Sequence, residues 1–216
     1  MWLSKLIIVT RELESSKELE WALRGAQGME VRCGSFEKMS GYDCIATAGN
    51  SFGLMDAGMD LAVLKFFGQS LQARIQKVIL EDYLGEQPVG TSFIIESGQQ
   101  KPAWVAHTPT MRIPMNVKGT DYVYLATWAT LLAVHHHNRQ PQSSSIQTLV
   151  CPAFATGTGG VTALEAGVQM RIAWEHFQKV PEHLNPGIAQ ARQERVHFGG
   201  TGGFKNSRPS GAPRSW

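Results

Sequence analysis

The sequence lacks the marks of a membrane protein and of a disulfide-stabilised one. Its 216 residues hold three cysteines, Cys33, Cys44 and Cys151, with no CxxC spacing among them. Cysteines so few and so spaced favour reduced thiols over a disulfide framework or a zinc site. We therefore expect an intracellular compartment, cytoplasm or nucleus. The longest apolar run, 125–134, is interrupted by Thr and Trp and is too short to span a bilayer. A charged stretch soon follows the first apolar residues, so we expect no secretory signal and no membrane partner.

A strong excess of either charge is also absent. The formal net charge is +2, but residues 189–216 carry a balance of +4, which leaves −2 for the rest of the chain. Duplex nucleic acid requires a basic stripe, so we expect a nucleic-acid contact at most through the basic C-terminal segment. With 43% hydrophobic and 18% charged residues, the chain is typical of a globular protein and not of a disordered one.

Apolar stretches of strand length alternate with helical patterns along the first 180 residues. The predicted strands cover 5–10, 29–33, 42–48, 91–96, 103–108 and 146–151. The predicted helices are one opened by a Ser15-x-x-Glu18 capping box, 60–67, 70–83, 121–138, and one opened by Thr162-x-x-Glu165. This alternation predicts an α/β fold with a largely parallel sheet. Beyond residue 180 Gly and Pro accumulate, so we predict a domain over 1–180 and a flexible, basic, Gly/Pro-rich tail over 181–216.

Small and polar residues follow the predicted strand 42–48, where parallel α/β sheets bind their ligands. The segment 47–53 reads TAGNSFG, and 56–60 reads DAGMD at the start of a helix. Small residues let a ligand approach the backbone, and the side chains of Asn50 and Asp60 can hydrogen-bond sugar hydroxyls. A tight β-to-α turn with an Asp cap accounts for the same residues. Spacing alone leaves both interpretations open.

A glycine-rich loop follows the last predicted strand. It reads PAFATGTGG over 152–160 and leads into the helix that Thr162 opens. Successive glycines expose backbone N–H groups, and a helix N-terminus adds a field that favours an anion, so the pattern predicts a phosphate cradle. No Gly-Lys-Ser/Thr follows and the spacing does not fit GxGxxG, which argues against a P-loop and a standard dinucleotide fold.

Together the two segments resemble the macro domain. The turn ATAGN is similar to that family's Asn-Ala-Ala-Asn turn, with Asn50 at the second Asn. Asp60 lies where hydrolase-type members carry a functional Asp, and 152–160 matches the phosphate loop. The resemblance implies a three-layer fold with a mixed, largely parallel central sheet flanked by helices. It also implies a cleft at the carboxyl ends of the strands that takes ADP-ribose, free or attached to a protein or small molecule, without a cofactor or metal.

The resemblance assigns parts of that ligand to particular residues. Adenine is expected near Ser35 and Phe36, and the distal ribose near Asn50 and Asp60. The diphosphate is expected on Thr156, Gly157, Thr158, Gly159 and Gly160. Whether the protein is an enzyme stays open: Asp60 and Asn50 would orient the water that releases ADP-ribose by hydrolysis. The alternatives are a non-catalytic reader of ADP-ribosylated partners and a phosphatase acting on phosphorylated ADP-ribose. Ser35 and Gly159 depart from the family, whose members carry Asp and an aromatic residue there.

The histidines do not form a predicted metal site. His135, His136 and His137 are adjacent, and adjacent residues do not share a helix face, whereas paired helical His ligands need i, i+4 spacing. His107 lies within a predicted strand, and we interpret it as a hydrogen-bonded core residue and not as a base.

Overall fold

A computed structural model describes residues 2–141 and 143–196. The strands are β1 Lys5–Thr10, β2 Met29–Cys33, β3 Cys44–Ala46, β4 Gly49–Asn50, β5 Phe93–Glu96, β6 Trp104–His107, β7 Pro109–Met111 and β8 Thr148–Pro152. The helices are α1 Leu13–Ala22, α2 Gly58–Phe67, α3 Ser70–Asp82, α4 Tyr122–His137, α5 Ala163–Gln178 and α6 Pro186–Val196. None of the helices in this described part is both long enough and apolar enough to cross a membrane.

Six of the strands form one sheet in the order β2-β1-β8-β3-β6-β5. Neighbouring strands are parallel except for β5, which runs antiparallel to β6 at the edge. The short strands β4 and β7 pair separately, also in parallel. The predicted α/β fold with a mixed, largely parallel sheet is therefore confirmed. Because β1, β8 and β3 are parallel neighbours at the centre, the loops that leave them meet at the same edge of the sheet.

Helices cover both faces of this sheet, since successive strand side chains point to opposite sides. Leu6 and Ile8 of β1 are buried in a core cluster that includes residues of α1, α4 and α5. Ile7 and Val9 belong to a second cluster, with residues of α2 and α3. Strands buried on both faces are apolar on both faces, as residues 6–9 of β1 are. The three-layer arrangement is confirmed.

One predicted helix start is correct and one is wrong. The Thr162 hydroxyl accepts a hydrogen bond from the backbone N–H of Glu165 (3.1 Å), as a capping residue should. Helix α1, in contrast, begins at Leu13, before the predicted box. Glu18 of that box instead accepts from the backbone N–H of Leu164 (3.1 Å), because the first turn of α5 offers it free N–H groups and a favourable field.

The segment predicted to be a flexible tail contains helix α6. The side-chain oxygen of Asn185 accepts from the backbone N–H of Ile188 (2.9 Å), and Pro186 occupies the first helical position. An Asn cap followed by Pro is a helix-start signal, and the abundance of Gly and Pro farther along hid it.

Polar contacts hold α6 against the body. Arg192 donates to the backbone oxygen of His176 (3.3 Å), and its guanidinium lies 5.6 Å from the ring centre of Trp128. Arg195 forms an ion pair with Glu175 of α5. Residues 186–196 are therefore helical and in contact with α4 and α5, and residues 197–216 lie outside the described residues. The flexibility of the segment 181–216 stays a prediction. The boundary placed after residue 180 stays a prediction.

Candidate functional site

A cleft of about 420 Å³ opens where the central parallel strands end. Its walls come from the end of β1, the turn after β3, the first turn of α2, the segment after β7 and the loop after β8. The volume falls in the range of roughly 300–1,000 Å³ that is usual for small-molecule sites. The cleft thus lies at the edge of the sheet where the sequence placed the ligand.

The loop after β8 lines this cleft and contains backbone amides without an acceptor. Thr156, Gly157, Thr158 and Gly159 line it. Within the loop, the N–H of Gly160 donates to Gly157 oxygen (3.0 Å) and that of Val161 to Ala155 oxygen (3.2 Å). The N–H groups of residues 157–159 find no acceptor among the described residues. Consecutive unpaired amides make a concave surface for an anion.

The glycines of this loop are needed for different reasons. A Cβ on Gly157 would meet no atom within 4 Å, so its side-chain space is open. A Cβ on Gly159 would lie 2.5 Å from Ala155 oxygen, so Gly159 is required by the loop's own close packing. Gly160 has a φ of 69°, which favours glycine, and it does not itself line the cleft. Gly157 alone is positioned to make room for a ligand.

The two nearby helix N-termini differ in whether their N–H groups are free. In α5, Thr162 and Glu18 already accept from two of the first N–H groups, so this helix contributes less to an anion site than the sequence indicates. In α2, the residue before the helix, Ala57, provides no side-chain cap. Residues 57–60 line the cleft, so the uncapped end of α2 adds a second group of donors.

Asn50 lines the cleft, and its amide holds its own loop together. The side-chain oxygen accepts from the backbone N–H groups of Phe52 (3.1 Å) and Leu54 (3.3 Å). The side-chain nitrogen donates to Leu54 oxygen (2.8 Å). This local network is by itself a sufficient reason for an Asn at position 50. The role in orienting water that the sequence suggests for Asn50 stays a prediction.

Asp60 lies in the first turn of α2 and is buried, with a relative exposure of 6%. One carboxylate oxygen accepts from the backbone N–H of Ala48 (3.0 Å), which ties α2 to the turn after β3. Burial, assisted by the nearby charge of Asp56, raises the pKa of Asp60 to about 7, although the Ala48 hydrogen bond opposes the shift. Asp60 therefore changes charge near neutral pH, inside the cleft.

Comparisons with known proteins settle the family. The macro-domain family model matches residues 46–170, more than half of the chain. The chain belongs to the macro-domain family. That family binds ADP-ribose. The matched residues include the β3 turn, the start of α2 and the glycine loop.

Solved macrodomains share the fold at low sequence identity. The macrodomain of Mycobacterium tuberculosis DarG is 16% identical, with a TM-score of 0.56, and the match covers 67% of this chain and 88% of that one. A variant of the Oceanobacillus iheyensis macrodomain with ADPR is 18% identical (TM-score 0.55; 76% and 89% covered). The Trypanosoma brucei macrodomain is 18% identical (TM-score 0.51; 67% and 52% covered). No curated protein matches the sequence significantly.

Of the two residues expected near adenine, Ser35 and Phe36, one lines this macro-domain cleft. Phe36 lines the cleft, and its ring is buried edge-on against Phe66, with centroids 5.4 Å apart. Ser35 does not line it, and its hydroxyl donates to the carboxylate of Glu37. Glu37 in turn forms an ion pair with Arg11 (2.9 Å). Burial acts to raise the pKa of Glu37, but the hydrogen bond from Ser35 and the charge of Arg11 outweigh it, so the pKa lies below its usual value. The structure thus brings Phe36 into the cleft but not Ser35.

Several residues of the macro-domain cleft are missed by sequence reasoning. Val9, Thr10 and Arg11 come from the end of β1, and Thr110 and Met111 from β7. The parallel order of β1, β8 and β3 places the end of β1 at the cleft, and local sequence patterns do not reveal that strand order. Strand β7 was not predicted at all, because its three residues carry no alternating pattern. Among residues 2–141 and 143–196, no group of three or more His, Cys, Asp or Glu is placed to hold a metal ion.

Proposed function

We propose that the cleft binds ADP-ribose, free or attached to a protein or small molecule. The observation that carries the proposal is the row of unpaired N–H groups at 157–159 on the cleft wall, which suits a diphosphate. The family's ligand is ADP-ribose, and the related Oceanobacillus iheyensis macrodomain is described with ADPR and with ADP. No cofactor is part of the proposal.

In this proposal the ligand lies along the cleft with its two ends in different surroundings. The adenine lies at the end lined by Phe36 and Arg11, and the distal ribose lies at the end lined by Asn50 and Asp60. The uncapped start of α2 faces the phosphates, where its N–H groups offset the carboxylate of Asp56.

Removal of ADP-ribose by hydrolysis is the second candidate function, and the raised pKa of Asp60 favours it. A carboxylate with a pKa of about 7 accepts a proton more readily than an ordinary Asp. From the cleft wall, Asp60 would take the proton of a water that attacks the anomeric carbon. The bond from that carbon to the protein or small molecule breaks in the same reaction, and the released group leaves with the bonding electrons. General-base assistance of this kind is worth roughly 10²- to 10⁴-fold in rate.

Titration calorimetry with ADP-ribose and AMP tests the binding proposal. We expect ADP-ribose to bind at least about 10-fold more tightly than AMP, because AMP lacks the second phosphate and the distal ribose. ADP is the matched intermediate ligand, and it separates the contribution of the diphosphate from that of the ribose. Equal affinities for ADP-ribose and AMP would contradict the placement of the diphosphate on residues 157–159.

Release of ADP-ribose from a modified protein, measured with stoichiometric protein, tests hydrolysis. We expect Asp60→Asn to abolish release while keeping ADP-ribose binding within about threefold of the wild type, since a base acts in the transition state. Binding without release by the wild type would make the protein a reader. Release of phosphate from phosphorylated ADP-ribose in a parallel assay would instead make it a phosphatase.

A further inference from the structure

The side-chain space of Gly49 is filled by the ring of His107. An ideal Cβ on Gly49 would lie 2.6 Å from Nε2, 3.2 Å from Cε1 and 3.3 Å from Cδ2 of that ring. Gly49 is not among the glycines with positive φ, so its backbone conformation is open to any residue. Position 49 therefore requires glycine because His107 lies beneath it. Gly49 itself lines the cleft, directly before Asn50.

The His107 ring is held in one orientation by Gln87. Both residues are fully buried, and Nδ1 of His107 lies 2.7 Å from the side-chain oxygen of Gln87. Burial lowers the pKa of His107 to about 3, so the ring is neutral at physiological pH. With Gln87 oxygen as the acceptor, Nδ1 carries the proton. Nε2 then bears only a lone pair and has no hydrogen-bond partner within the described part of the chain.

Gln87 also contacts the Gly49–Ser51 turn directly. Its backbone N–H donates to Ser51 oxygen (2.8 Å), and its side-chain nitrogen approaches His107 oxygen (3.5 Å). The turn is thus supported before Asn50 by the His107 ring and after Asn50 by the Gln87 backbone. Because both neighbours of Asn50 are in contact with this pair, the backbone of Asn50 is restricted in position.

We propose that His107 and Gln87 are positioning residues that fix the Gly49–Ser51 turn and thereby set the affinity of the cleft for the distal ribose. This inference rests on the proposed function. Neither side chain lines the cleft, so both act through the turn. The turn carries Asn50, and the N–H of Ala48 just before it binds Asp60. A displaced turn therefore disturbs the ribose end and leaves the loop 156–159 in place.

Gln87→Met tests the inference by calorimetry with ADP-ribose and ADP. Met has a similar volume but cannot bond Nδ1 of His107, so the ring loses its fixed orientation. We expect the affinity for ADP-ribose to fall about 10-fold, because the turn that carries Asn50 is no longer fixed, and that for ADP to stay within twofold. ADP has no distal ribose, so a general loss of structure would weaken both ligands alike.

Two further variants complete this test. Gly49→Ala forces a methyl group against the ring from the opposite side and should reproduce the selective loss, which keeps the inference testable if Gln87→Met folds poorly. Thr127→Val is the matched control, because Thr127 is also buried and, among the described residues, its hydroxyl bonds within α4, to Val123 oxygen (2.7 Å). It should change neither affinity.

Amide hydrogen exchange in the free protein gives a readout that needs no ligand. We expect Gln87→Met to speed exchange in peptides covering 49–54, whose N–H groups include the two that Asn50 holds, and not in peptides covering 153–160. Equal losses for ADP-ribose and ADP, or unchanged affinity and exchange, would overturn the inference. A wild type that binds no ADP-ribose would overturn the proposed function instead, and the exchange of 49–54 would still decide whether the turn is positioned as we infer.

Discussion

Gly157→Glu is expected to weaken ADP-ribose binding by at least about 100-fold, or roughly 3 kcal/mol, while the protein stays folded. The space beside Gly157 is empty, so the new side chain needs no rearrangement of protein atoms. It would occupy the cleft wall beside the free N–H groups of 157–159. A carboxylate there repels the diphosphate and competes with it for the same donors.

Two control variants separate the causes of that loss. Gly157→Gln has nearly the same shape without the charge, so the difference between the two variants measures repulsion alone. Gln140→Glu adds the same charge at an exposed position beyond α4, outside the cleft, and should leave the affinity unchanged. Thermal unfolding followed by circular dichroism should give similar midpoints for all three variants and the wild type.

A folded Gly157→Glu protein with native affinity for ADP-ribose would remove the phosphate cradle from the proposed function. A large drop in the melting temperature would mean instead that Gly157, like Gly159, is required by the fold. Gly159 is an example of a glycine that the fold requires, because a Cβ there would lie 2.5 Å from Ala155 oxygen.

The position of the cleft was predictable because the two segments that line it follow recognisable strands and precede recognisable helices. Glycines after an apolar strand indicate an exposed backbone, and the Thr162-x-x-Glu165 pattern marks the following helix correctly. The parallel sheet follows from the alternation of strands and helices, and it places both segments at one edge. These inferences need only neighbouring residues and a rule about strand ends.

The details that local patterns could not supply depend on contacts between distant segments. Glu18 leaves its predicted capping box because it binds the start of α5, which is 146 residues away along the chain. The glycine at position 49 is explained only once His107 is known to lie beneath it. Helix α6 was hidden by the Gly and Pro residues that follow it, and its polar composition gives little amphipathic pattern, since its contacts are made by Arg192 and Arg195.

Asp60→Asn is expected to stabilise the protein, and to do so increasingly as the pH rises from 4 to 8. The side chain of Asp60 is buried and its pKa is raised from 3.8 to about 7, with burial as the largest cause. Asn has the same size and keeps an oxygen for the Ala48 N–H, but it cannot ionise. The comparison therefore isolates the cost of a buried negative charge.

The sign follows from proton binding in the two states. In the unfolded chain Asp60 ionises near pH 3.8, whereas in the folded protein it holds its proton until about pH 7. Between these values the folded state binds more protons, so the free energy of unfolding falls as the pH rises. Below pH 3.8 Asp60 does not change the free energy of unfolding, and above about pH 7 the loss of stability is complete. A shift of this size corresponds to a loss of up to about 4 kcal/mol at pH 8.

Urea unfolding of the wild type and of Asp60→Asn at pH 4, 6 and 8 checks this expectation. The stability gained by the variant should be small at pH 4 and should approach its full value at pH 8. Asp82→Asn, at an exposed carboxylate at the end of α3, is the matched control. A gain that does not change with pH would show that the pKa of Asp60 is the same in the folded and the unfolded protein. Asp60 would then lose the proton affinity on which its proposed role as a base depends, whereas the cradle at 157–159 would be unaffected.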